Sequence, residues 1–399
     1  MTERVVVVGA GLAGARVAQE LRAQQFGGGI TLVGAERYRP YDRPPLSKQV
    51  LQGRWRPDRA LLSYPSEPDD VDLRLGTRAR RIHLGERQVI LDAGEPLHFD
   101  ALVVATGACP RTLPGRAPEG VHVLRTLDDC LAIRSQLARG GPLVVVGAGF
   151  IGGEVAAVAR SLGVEVTLVE ASPAPLTHVL GPDVGDRCAE LHRDHGVRLR
   201  CNVAVEGFDG DPRVERVRLS DGSSLDADLV VVGVGVVPNT GWLESSGLAL
   251  RDGVICDRYC RADQANQIYA LSDVARWFNP LYGRHTRVEH WTTATEQSHI
   301  VAHNIINPAN PRSYAAAPYF WSDQYGHKIQ FTGHAEPDHC VRMIPGPKGG
   351  RQFVALFSSR DRLCAALTFG WPRAIAVCRP ILTRRGTLAE ALREIHDMV

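Results

Sequence analysis

The sequence is short of lysine, and its cysteines lack the spacing of a redox pair. Lys48, Lys328 and Lys348 are the only lysines among its 46 basic residues, a bias typical of a GC-rich genome. Its nine cysteines begin at Cys109, and none of them forms a CxxC or CxxxxC pair. This odd, scattered set argues against a disulfide framework and favours free thiols in a reducing compartment.

Two further absences exclude whole classes of function. No apolar run approaches the roughly 18 residues that a membrane span needs, and Met1-Thr2-Glu3-Arg4 leads into a predicted strand without a signal-peptide core. We therefore expect a cytoplasmic protein with no membrane partner. The net charge of +2 gives the protein little excess positive charge to attract the phosphate backbone of a nucleic acid, so we expect no nucleic-acid partner. The length of 399 residues favours two or three domains.

Two copies of one glycine motif are the strongest signal in the chain. A β-branched run precedes each copy, RVVVV at 4–8 and LVVV at 143–146. An amphipathic helical pattern follows each copy, and the second pattern runs through Ile151, Val155, Ala159 and Leu162. The glycines stand in GxGxxG spacing at Gly9, Gly11 and Gly14 and again at Gly147, Gly149 and Gly152.

Each GxGxxG turn predicts the binding site of one dinucleotide. The first glycine allows a tight turn, the second lets backbone N–H groups approach the pyrophosphate, and the third lets helix and strand pack closely. A carboxylate about 20 residues further on accepts hydrogen bonds from the adenosine ribose. We assign this role to Glu36, with Ala35 as the other possible register, and to Glu170. Glu170 would repel a 2′-phosphate and no arginine stands at 171–173, so NADH is favoured over NADPH.

Two later segments also repeat each other. Residues 99–107 and 225–233 both have the pattern of buried strands that end in glycine, and each follows its own glycine turn at a similar interval. This second correspondence indicates duplicated halves. Beyond the second segment, Gly233-Val234-Gly235 offers a point of close backbone approach, where we expect a flat ring to lie.

The string PYDRPPLSK at 40–48 resembles the PYxRPPLSK segment of the FAD-dependent NADH:ferredoxin reductases. These enzymes belong to the pyridine nucleotide-disulfide oxidoreductase superfamily and lack its redox disulfide. The resemblance covers nearly the whole chain. Its other segments are ATG at 105–107, LRT at 124–126, the second glycine turn, GVVPN at 235–239, EHW at 289–291 and FWSDQ at 320–324.

The resemblance implies an α/β fold with two Rossmann-like dinucleotide-binding domains, one for FAD and one for NAD, and a C-terminal α+β interface domain. The FAD domain would comprise residues 1–110 and 242–318, the NAD domain 111–241, and the interface domain 319–399. We expect one FAD and one NADH to bind, and the protein to be a monomer or a weak homodimer.

The resemblance also implies roles for single residues. Lys48 would lie near the flavin N5, where a cation stabilises arriving electron density, and would pair with Glu154. These two are the candidate catalytic residues. Asp273 would hold the ribityl chain, and Trp291 and Trp321 would lie beside the isoalloxazine. The remaining candidate cofactor contacts are the six glycines of the two turns, Glu36, Arg43, Ala79, Thr106, Gly107, Arg125, Ile151, Glu170, Gly235 and Val274.

One position departs from the family pattern. The family usually has Gly-Asp where this chain has Ser272-Asp273. A serine is strained there if its φ is positive, and it can serve as a helix cap if it is not. A separate group, His285, Glu289 and His290, has the spacing HxxxEH, which matches no strong zinc signature, so we predict no metal site.

The position of the first cysteine indicates how electrons leave the protein. Disulfide reductases of this architecture need a CxxxxC pair near the N-terminal helix, whereas this chain has no cysteine before Cys109. Electrons must therefore leave from the flavin itself. The resemblance implies that they pass singly to an acidic iron–sulfur ferredoxin, which supplies a cytochrome P450 or a ring-hydroxylating oxygenase. Candidate basic contacts for the ferredoxin are Arg284, Arg287, Lys328, Arg342 and Lys348.

Two alternative functions stay open. A rubredoxin reductase or monodehydroascorbate reductase would differ only in its electron acceptor. A binding protein similar to apoptosis-inducing factor would respond to NADH by dimerising rather than by electron transfer. The absence of a targeting segment and of a lysine-rich surface counts against the second alternative.

Overall fold

The computed structural model describes residues 2–62, 71–265 and 267–398, and the chain divides into two compact units. The first unit comprises 1–42, 61–109 and 237–318, and the second comprises 43–60, 110–236 and 319–399. Two short strands, Ala108–Pro110 and Val236–Pro238, lie where the chain passes from one unit to the other.

The first unit is built on a six-stranded sheet, the first parallel sheet. Its strand Arg4–Val8 carries four consecutive buried valines, because β-branched side chains suit a strand that is covered on both faces. Five strands run parallel, and the edge strand Arg261–Asp263 is antiparallel. The strand order is Arg261–Asp263, Ile268–Ala270, Ala101–Val104, Arg4–Val8, Gly29–Gly34 and Asp72–Leu75.

Helices and smaller sheets complete the first unit. Helix Leu12–Ala23 packs against helix Trp291–Ile306 and buries Val17, Ala18 and Leu21. Two short 3₁₀ helices span Gly241–Leu243 and Ser272–Val274. One small sheet contains Ala79–His83, Gln88–Leu91 and Leu97–His98, and another contains Val254–Cys256, Ala275–Asn279 and Arg284–Thr286.

The second unit repeats this plan on a five-stranded sheet, the second parallel sheet. Strand Leu143–Val146 pairs in parallel with Val166–Val169 on one side and Leu229–Val232 on the other. Arg4–Val8 has the equivalent two neighbours in the first sheet, so the predicted pair of Rossmann-like halves is confirmed. The strand order is Arg198–Arg200, Val166–Val169, Leu143–Val146, Leu229–Val232 and Val121–Val123.

Helices and an antiparallel sheet accompany the second parallel sheet. The sheet contains Val205–Asp209, Arg216–Leu219 and Ser224–Asp226. The helices of this part are Leu127–Leu137, Phe150–Ser161, Thr177–Leu180 and Pro182–Asp194, and its 3₁₀ helices are Pro44–Ser47 and Pro57–Ala60. No helix within 2–62, 71–265 and 267–398 is long and apolar enough to cross a membrane.

The C-terminal part of the second unit is an antiparallel sheet with two helices, as the expected α+β domain requires. Its core contains Phe331, Phe357 and Phe369, which are nearly or fully buried. The strand order is Tyr319–Gln324, His327–Gly333, Arg362–Phe369, Phe353–Ser359 and Cys340–Pro345, and the helices are Pro372–Thr383 and Leu388–His396.

Two details of the predicted pattern are wrong. Val155 and Ala159 are buried, but Ile151 and Leu162 are 46% and 45% exposed. Ile151 lies in the first turn of its helix beside the glycine motif, and Leu162 lies just beyond the last helical residue. Residues 225–233 also do not form one strand. Their two halves belong to Ser224–Asp226 and Leu229–Val232, which lie in different sheets.

Candidate functional site

The first glycine turn connects strand Arg4–Val8 to helix Leu12–Ala23. Gly9 has a φ of +119°, and its N–H donates to the Val33 carbonyl at 2.8 Å. A Cβ atom on Gly9 would lie 2.1 Å from the Ala105 carbonyl oxygen. Only glycine fits this position, because the chain passes directly beside it at Ala105, just after strand Ala101–Val104.

The second turn has the same geometry in the second unit. Gly147 has a φ of +95°, and its N–H donates to the Val169 carbonyl at 2.8 Å. A Cβ atom on Gly147 would lie 2.4 Å from the Gly233 carbonyl oxygen. The turns predicted as two copies from the sequence therefore also match in backbone conformation and in neighbours.

The other glycines of each turn test whether a dinucleotide fits. A Cβ atom on Gly14 or Gly152 would lie 2.0 Å from the carbonyl oxygen of the first glycine, so these positions hold helix and turn together. A Cβ atom on Gly11 or Gly149 would meet nothing within 4 Å. Gly11 and Gly149 therefore have no packing reason to be glycine. Close approach of a bound pyrophosphate to the protein backbone explains both of them.

The helix that follows each turn offers backbone donors for a phosphate. Gly11 and Gly149 are the N-cap residues, and neither helix has a side-chain hydrogen bond at its N-cap or an acidic residue in its first turn. The first N–H groups of a helix carry partial positive charge and bind anions. Both turns fit the pyrophosphate of a dinucleotide such as FAD or NADH.

The two predicted ribose acids lie at the ends of the expected strands. Glu36 follows Gly29–Gly34, and its carboxylate accepts a hydrogen bond from the Tyr41 hydroxyl. Glu170 follows Val166–Val169 and accepts from the backbone N–H of Ala148 at 2.8 Å and of Ser172 at 2.9 Å. Because Ala148 belongs to the second glycine turn, these bonds fix Glu170 beside that turn.

Lys48 and Glu154 meet in an ion pair, as the resemblance implied. Lys48 Nζ lies 2.7 Å from Glu154 Oε2, and the two side chains are 11% and 2% exposed. Lys48 follows the 3₁₀ helix Pro44–Ser47, and its Nζ also contacts the Pro44 carbonyl at 3.3 Å. Glu154 lies in the first half of helix Phe150–Ser161.

Three further groups that the sequence analysis did not assign also donate to Glu154. The hydroxyl of Ser47 donates to Oε2 at 2.5 Å, and the hydroxyl of Ser322 donates to Oε1 at 2.7 Å. The N–H of Asp323 donates to Oε1 at 3.2 Å. Glu154 therefore has four donors, which stabilise a buried carboxylate in one orientation. Both serines lie within the PPLSK and FWSDQ strings, which are the sequence signal that could have identified them.

Arg43 and Arg125 also lie together in the second unit. Arg43 Nη1 donates to the Arg125 carbonyl at 2.5 Å. Arg125 precedes Thr126, the N-cap of helix Leu127–Leu137, which forms a capping box with Asp129. This cap holds the backbone on the C-terminal side of Arg125.

Thr106 and Gly107 are held by Asn239, the last residue of the GVVPN string. The Thr106 hydroxyl donates to the Asn239 carbonyl, and the Asn239 side-chain amide donates back to the Thr106 carbonyl, both at 2.9 Å. The Asn239 N–H also donates to the Gly107 carbonyl at 2.9 Å. Gly235 has a φ of +96°, and its carbonyl accepts from the Arg111 N–H.

Asp273 and Val274 lie in the 3₁₀ helix Ser272–Val274 and are both buried. Burial lowers the pKa of the nearby His290 to about 4, against the opposing effect of the Asp273 carboxylate. Trp291 begins helix Trp291–Ile306, and its indole N–H donates to Asp42 Oδ1 at 2.9 Å.

The last two candidate cofactor contacts, Ala79 and Trp321, both lie in strands of antiparallel sheets. Ala79 is the first residue of the small sheet strand Ala79–His83. Trp321 lies in strand Tyr319–Gln324, where its ring stacks near Tyr319 and Lys328 Nζ lies 6.0 Å from its centroid.

Arg287 differs from the other residues named as basic contacts for a ferredoxin. Its guanidinium is 12% exposed and lies 3.2 Å from Asp252 and 2.6 Å from Glu289. Two carboxylates therefore neutralise it. Arg284, Lys328, Arg342 and Lys348 are exposed.

Comparison with known proteins places this geometry in a family. A profile described as pyridine nucleotide-disulphide oxidoreductase matches residues 3–298, and one described as reductase C-terminal matches residues 319–394. The chain belongs to the pyridine nucleotide-disulphide oxidoreductase family. Members of this family are oxidoreductases that use FAD and NADH, the two cofactors expected from the sequence.

Individual members of the family are similar over almost the entire chain. The ferredoxin–NAD⁺ reductase component of the anthranilate 1,2-dioxygenase system from Burkholderia cepacia is 36% identical, over 94% of this chain and 93% of that protein. Putidaredoxin reductase from Pseudomonas putida is 36% identical, over 96% and 92%. A crystal structure of the covalent putidaredoxin reductase–putidaredoxin complex matches with a TM-score of 0.91 and 34% identity, over 99% of this chain and 98% of that chain. The predicted resemblance to NADH:ferredoxin reductases is confirmed.

Proposed function

We propose that this chain is an FAD-containing NADH:ferredoxin oxidoreductase, whose ferredoxin supplies a cytochrome P450 or a ring-hydroxylating oxygenase. The observation that carries the proposal is the second glycine turn, with Glu170 fixed on its backbone by Ala148. A protein that only bound FAD would need one such turn. The second turn provides a separate site for the nucleotide that delivers electrons.

Glu170 selects NADH over NADPH in this proposal. Its carboxylate accepts two backbone hydrogen bonds, so it cannot rotate away without leaving the Ala148 and Ser172 N–H groups unpaired. The adenosine ribose hydroxyls of NADH donate to it, whereas the 2′-phosphate of NADPH would meet its negative charge. Ile151, exposed in the first turn of helix Phe150–Ser161, would contact the same nucleotide.

Lys48 and Glu154 serve the transfer of hydride. FAD, when bound, accepts two electrons as hydride and returns them one at a time to a single-electron acceptor. Lys48 would provide a fixed positive charge where electron density arrives, and Glu154 would hold Lys48 in place and lie near the nicotinamide. The serine and backbone donors on Glu154 keep both groups in place, so little reorganisation is needed when charge moves.

The remaining cofactor contacts keep the roles that the resemblance implied. Within the FAD site, Gly9, Gly11 and Gly14 receive the pyrophosphate, Glu36 receives the adenosine ribose, and Asp273 receives the ribityl chain. By the same resemblance, Trp291 and Trp321 would lie beside the isoalloxazine. Further cofactor contacts would come from Arg43, Ala79, Thr106, Gly107, Arg125 and Val274, and Gly235 would lie near the nicotinamide. The proposed domains are those that the resemblance implied, with FAD at 1–110 and 242–318, NAD at 111–241 and the interface domain at 319–399.

In this proposal electrons leave from the flavin itself and not through a redox pair of thiols. No cysteine precedes Cys109, and burial raises the pKa of Cys130, Cys188 and Cys378 to about 12, which keeps these thiols protonated and unreactive. The similarity to ferredoxin reductases favours an external single-electron carrier as the acceptor. An acidic ferredoxin fits the exposed Arg284, Lys328, Arg342 and Lys348, because complementary charge speeds association. Because its cysteines form no CxxC or CxxxxC pair, we place this reductase in the cytoplasm.

Acceptor competition under anaerobic conditions tests the proposed function. The flavin-loaded protein is reduced with NADH and offered ferredoxin, rubredoxin or monodehydroascorbate in separate reactions. We expect fast bleaching of the flavin by NADH, slow bleaching by NADPH, and the fastest reoxidation by ferredoxin. Equal turnover with all three acceptors would remove the assignment to ferredoxin. Very slow bleaching, together with an NADH-dependent increase in mass, would favour the binding-protein alternative.

A further inference from the structure

Ser272 adopts a backbone conformation that favours glycine. Its φ is +65°, in the left-handed region, although its side chain has a Cβ atom and is 7% exposed. A non-glycine residue in this region costs roughly 1 kcal/mol or more. Of the two possibilities that the sequence left open, the strained one is therefore correct, and the strain needs a compensating interaction.

The hydroxyl of Ser272 supplies that interaction. Ser272 Oγ donates to Asp273 Oδ1 at 2.9 Å, and both residues are buried. The Ser272 N–H donates to Gln297 Oε1 at 2.7 Å. Backbone and side chain of Ser272 are therefore both fixed, and the hydroxyl holds the carboxylate of Asp273 in one orientation.

Gln297 provides an independent sign of a ligand at this place. Its side chain is 0% exposed and its Oε1 accepts from Ser272. Its Nε2, in contrast, has no hydrogen-bond partner among the residues that the structure describes. A buried amide donor without an acceptor costs about 1–3 kcal/mol, so an acceptor from a bound molecule is the expected explanation.

We infer that Ser272 is a positioning residue for the flavin cofactor. Its hydroxyl orients Asp273 so that the carboxylate accepts from the hydroxyl groups of the ribityl chain, while Gln297 Nε2 donates to an oxygen of the same cofactor. A glycine at 272 would adopt the same φ without strain but would offer no donor. This inference rests on the proposed role of Asp273 as an FAD ligand.

The test measures how fast FAD leaves the full-length holoprotein on dilution, followed by the recovery of flavin fluorescence. Ser272→Ala keeps the Cβ and removes the hydroxyl, whereas Ser272→Gly also relieves the backbone. Both should release FAD about fivefold faster, the equivalent of one lost hydrogen bond. The melting temperature separates the two, because only the glycine variant regains stability in the flavin-free protein. Ser246→Ala, which removes a hydroxyl that donates to the Leu243 carbonyl, is the matched control and should release FAD at the unmodified rate.

A double-mutant cycle with Asp273→Asn shows whether Ser272 acts through Asp273. In the Asp273→Asn background, Ser272→Ala should no longer change the release rate. An unchanged rate in Ser272→Gly, or additive effects in the cycle, would overturn the inference alone. If Asp273→Asn by itself leaves FAD release unchanged, the role of Asp273 in the proposed function fails, and the inference fails with it.

Discussion

Lys48 Nζ lies 2.7 Å from Glu154 Oε2 although the two residues are 106 positions apart in the chain. Glu154 would be costly to bury as a lone anion, and Lys48 together with Ser47, Ser322 and the Asp323 N–H offsets that cost. These four donors therefore hold Glu154, and with it the pair, in one arrangement. Such preorganisation is what a site needs when charge moves through it.

Lys48→Met should slow flavin reduction by NADH while leaving FAD bound. The change removes the positive charge but keeps most of the apolar length of the side chain. We expect the reduction rate in stopped-flow absorbance to fall about tenfold or more. Arg56→Met is the control, because it removes an 87% exposed charge from the same 43–60 segment. An unchanged rate in Lys48→Met would reject the placement of this cation.

Glu170→Ala should weaken NADH binding and reduce the discrimination against NADPH. Loss of a carboxylate that accepts from the ribose costs about 1.5–3 kcal/mol, or roughly ten- to a hundredfold in the dissociation constant. Titration of tryptophan fluorescence with each nucleotide measures both affinities. Glu165→Ala, which removes a 63% exposed acid just before the same strand, should change neither. If Glu170→Ala keeps the preference for NADH, another group must bind the adenosine ribose.

Gly149→Ala and Gly152→Ala should separate binding from folding. The new Cβ meets nothing within 4 Å at 149, so the fold should lose at most about 1 kcal/mol, for a poorer N-cap residue. NADH affinity should nevertheless fall about tenfold or more, because the methyl group occupies the path of the pyrophosphate. At 152 the Cβ lies 2.0 Å from the Gly147 carbonyl oxygen, so the fold should lose about 1–3 kcal/mol. Calorimetry measures the stability of both variants, and NADH titration measures their affinity. Equal losses of stability in the two variants would contradict this prediction.

His192→Gln should flatten the dependence of stability on pH. Burial, with a smaller effect of His195, lowers the pKa of His192 to about 4, below the ordinary value of 6.5. The unfolded chain therefore binds more protons between these values, and stability falls as the pH drops from 6.5 toward 4, by up to about 3 kcal/mol. Melting temperatures at pH 7.5 and 5 measure this loss, which should be smaller in His192→Gln. His98→Gln, at an exposed histidine, should lose as much as the unmodified protein.

The glycine turns were the part of the site most open to prediction. Gly9 and Gly147 stand between a β-branched run and an amphipathic helix, and this local order is enough to predict a glycine turn. The acid Glu170 follows from the same geometry, because its distance along the chain is set by one helix and one strand. The strands before the two turns could be predicted as well, because runs of β-branched residues favour buried strands.

Contacts between distant segments could not be read from the sequence. Ser47 and Ser322 both reach Glu154, yet nothing in the spacing of these residues relates the three positions. Asn239 and Gln297 have ordinary polar side chains, and only the fold brings them to Thr106 and Ser272. Burial was equally hard to judge at element ends. Ile151 has an apolar side chain at helical spacing but is exposed, in the first turn of its helix within the second glycine motif.

The uncapped starts of helices Leu12–Ala23 and Phe150–Ser161 have a practical consequence for solution work. Their amide groups attract any small tetrahedral anion, not only the diphosphate of a nucleotide. Phosphate and sulfate buffers will therefore compete at both places, and dissociation constants obtained in them will come out too high. A chloride buffer at matched ionic strength gives the intrinsic values, and the difference between the two buffers measures how strongly each helix start attracts anions.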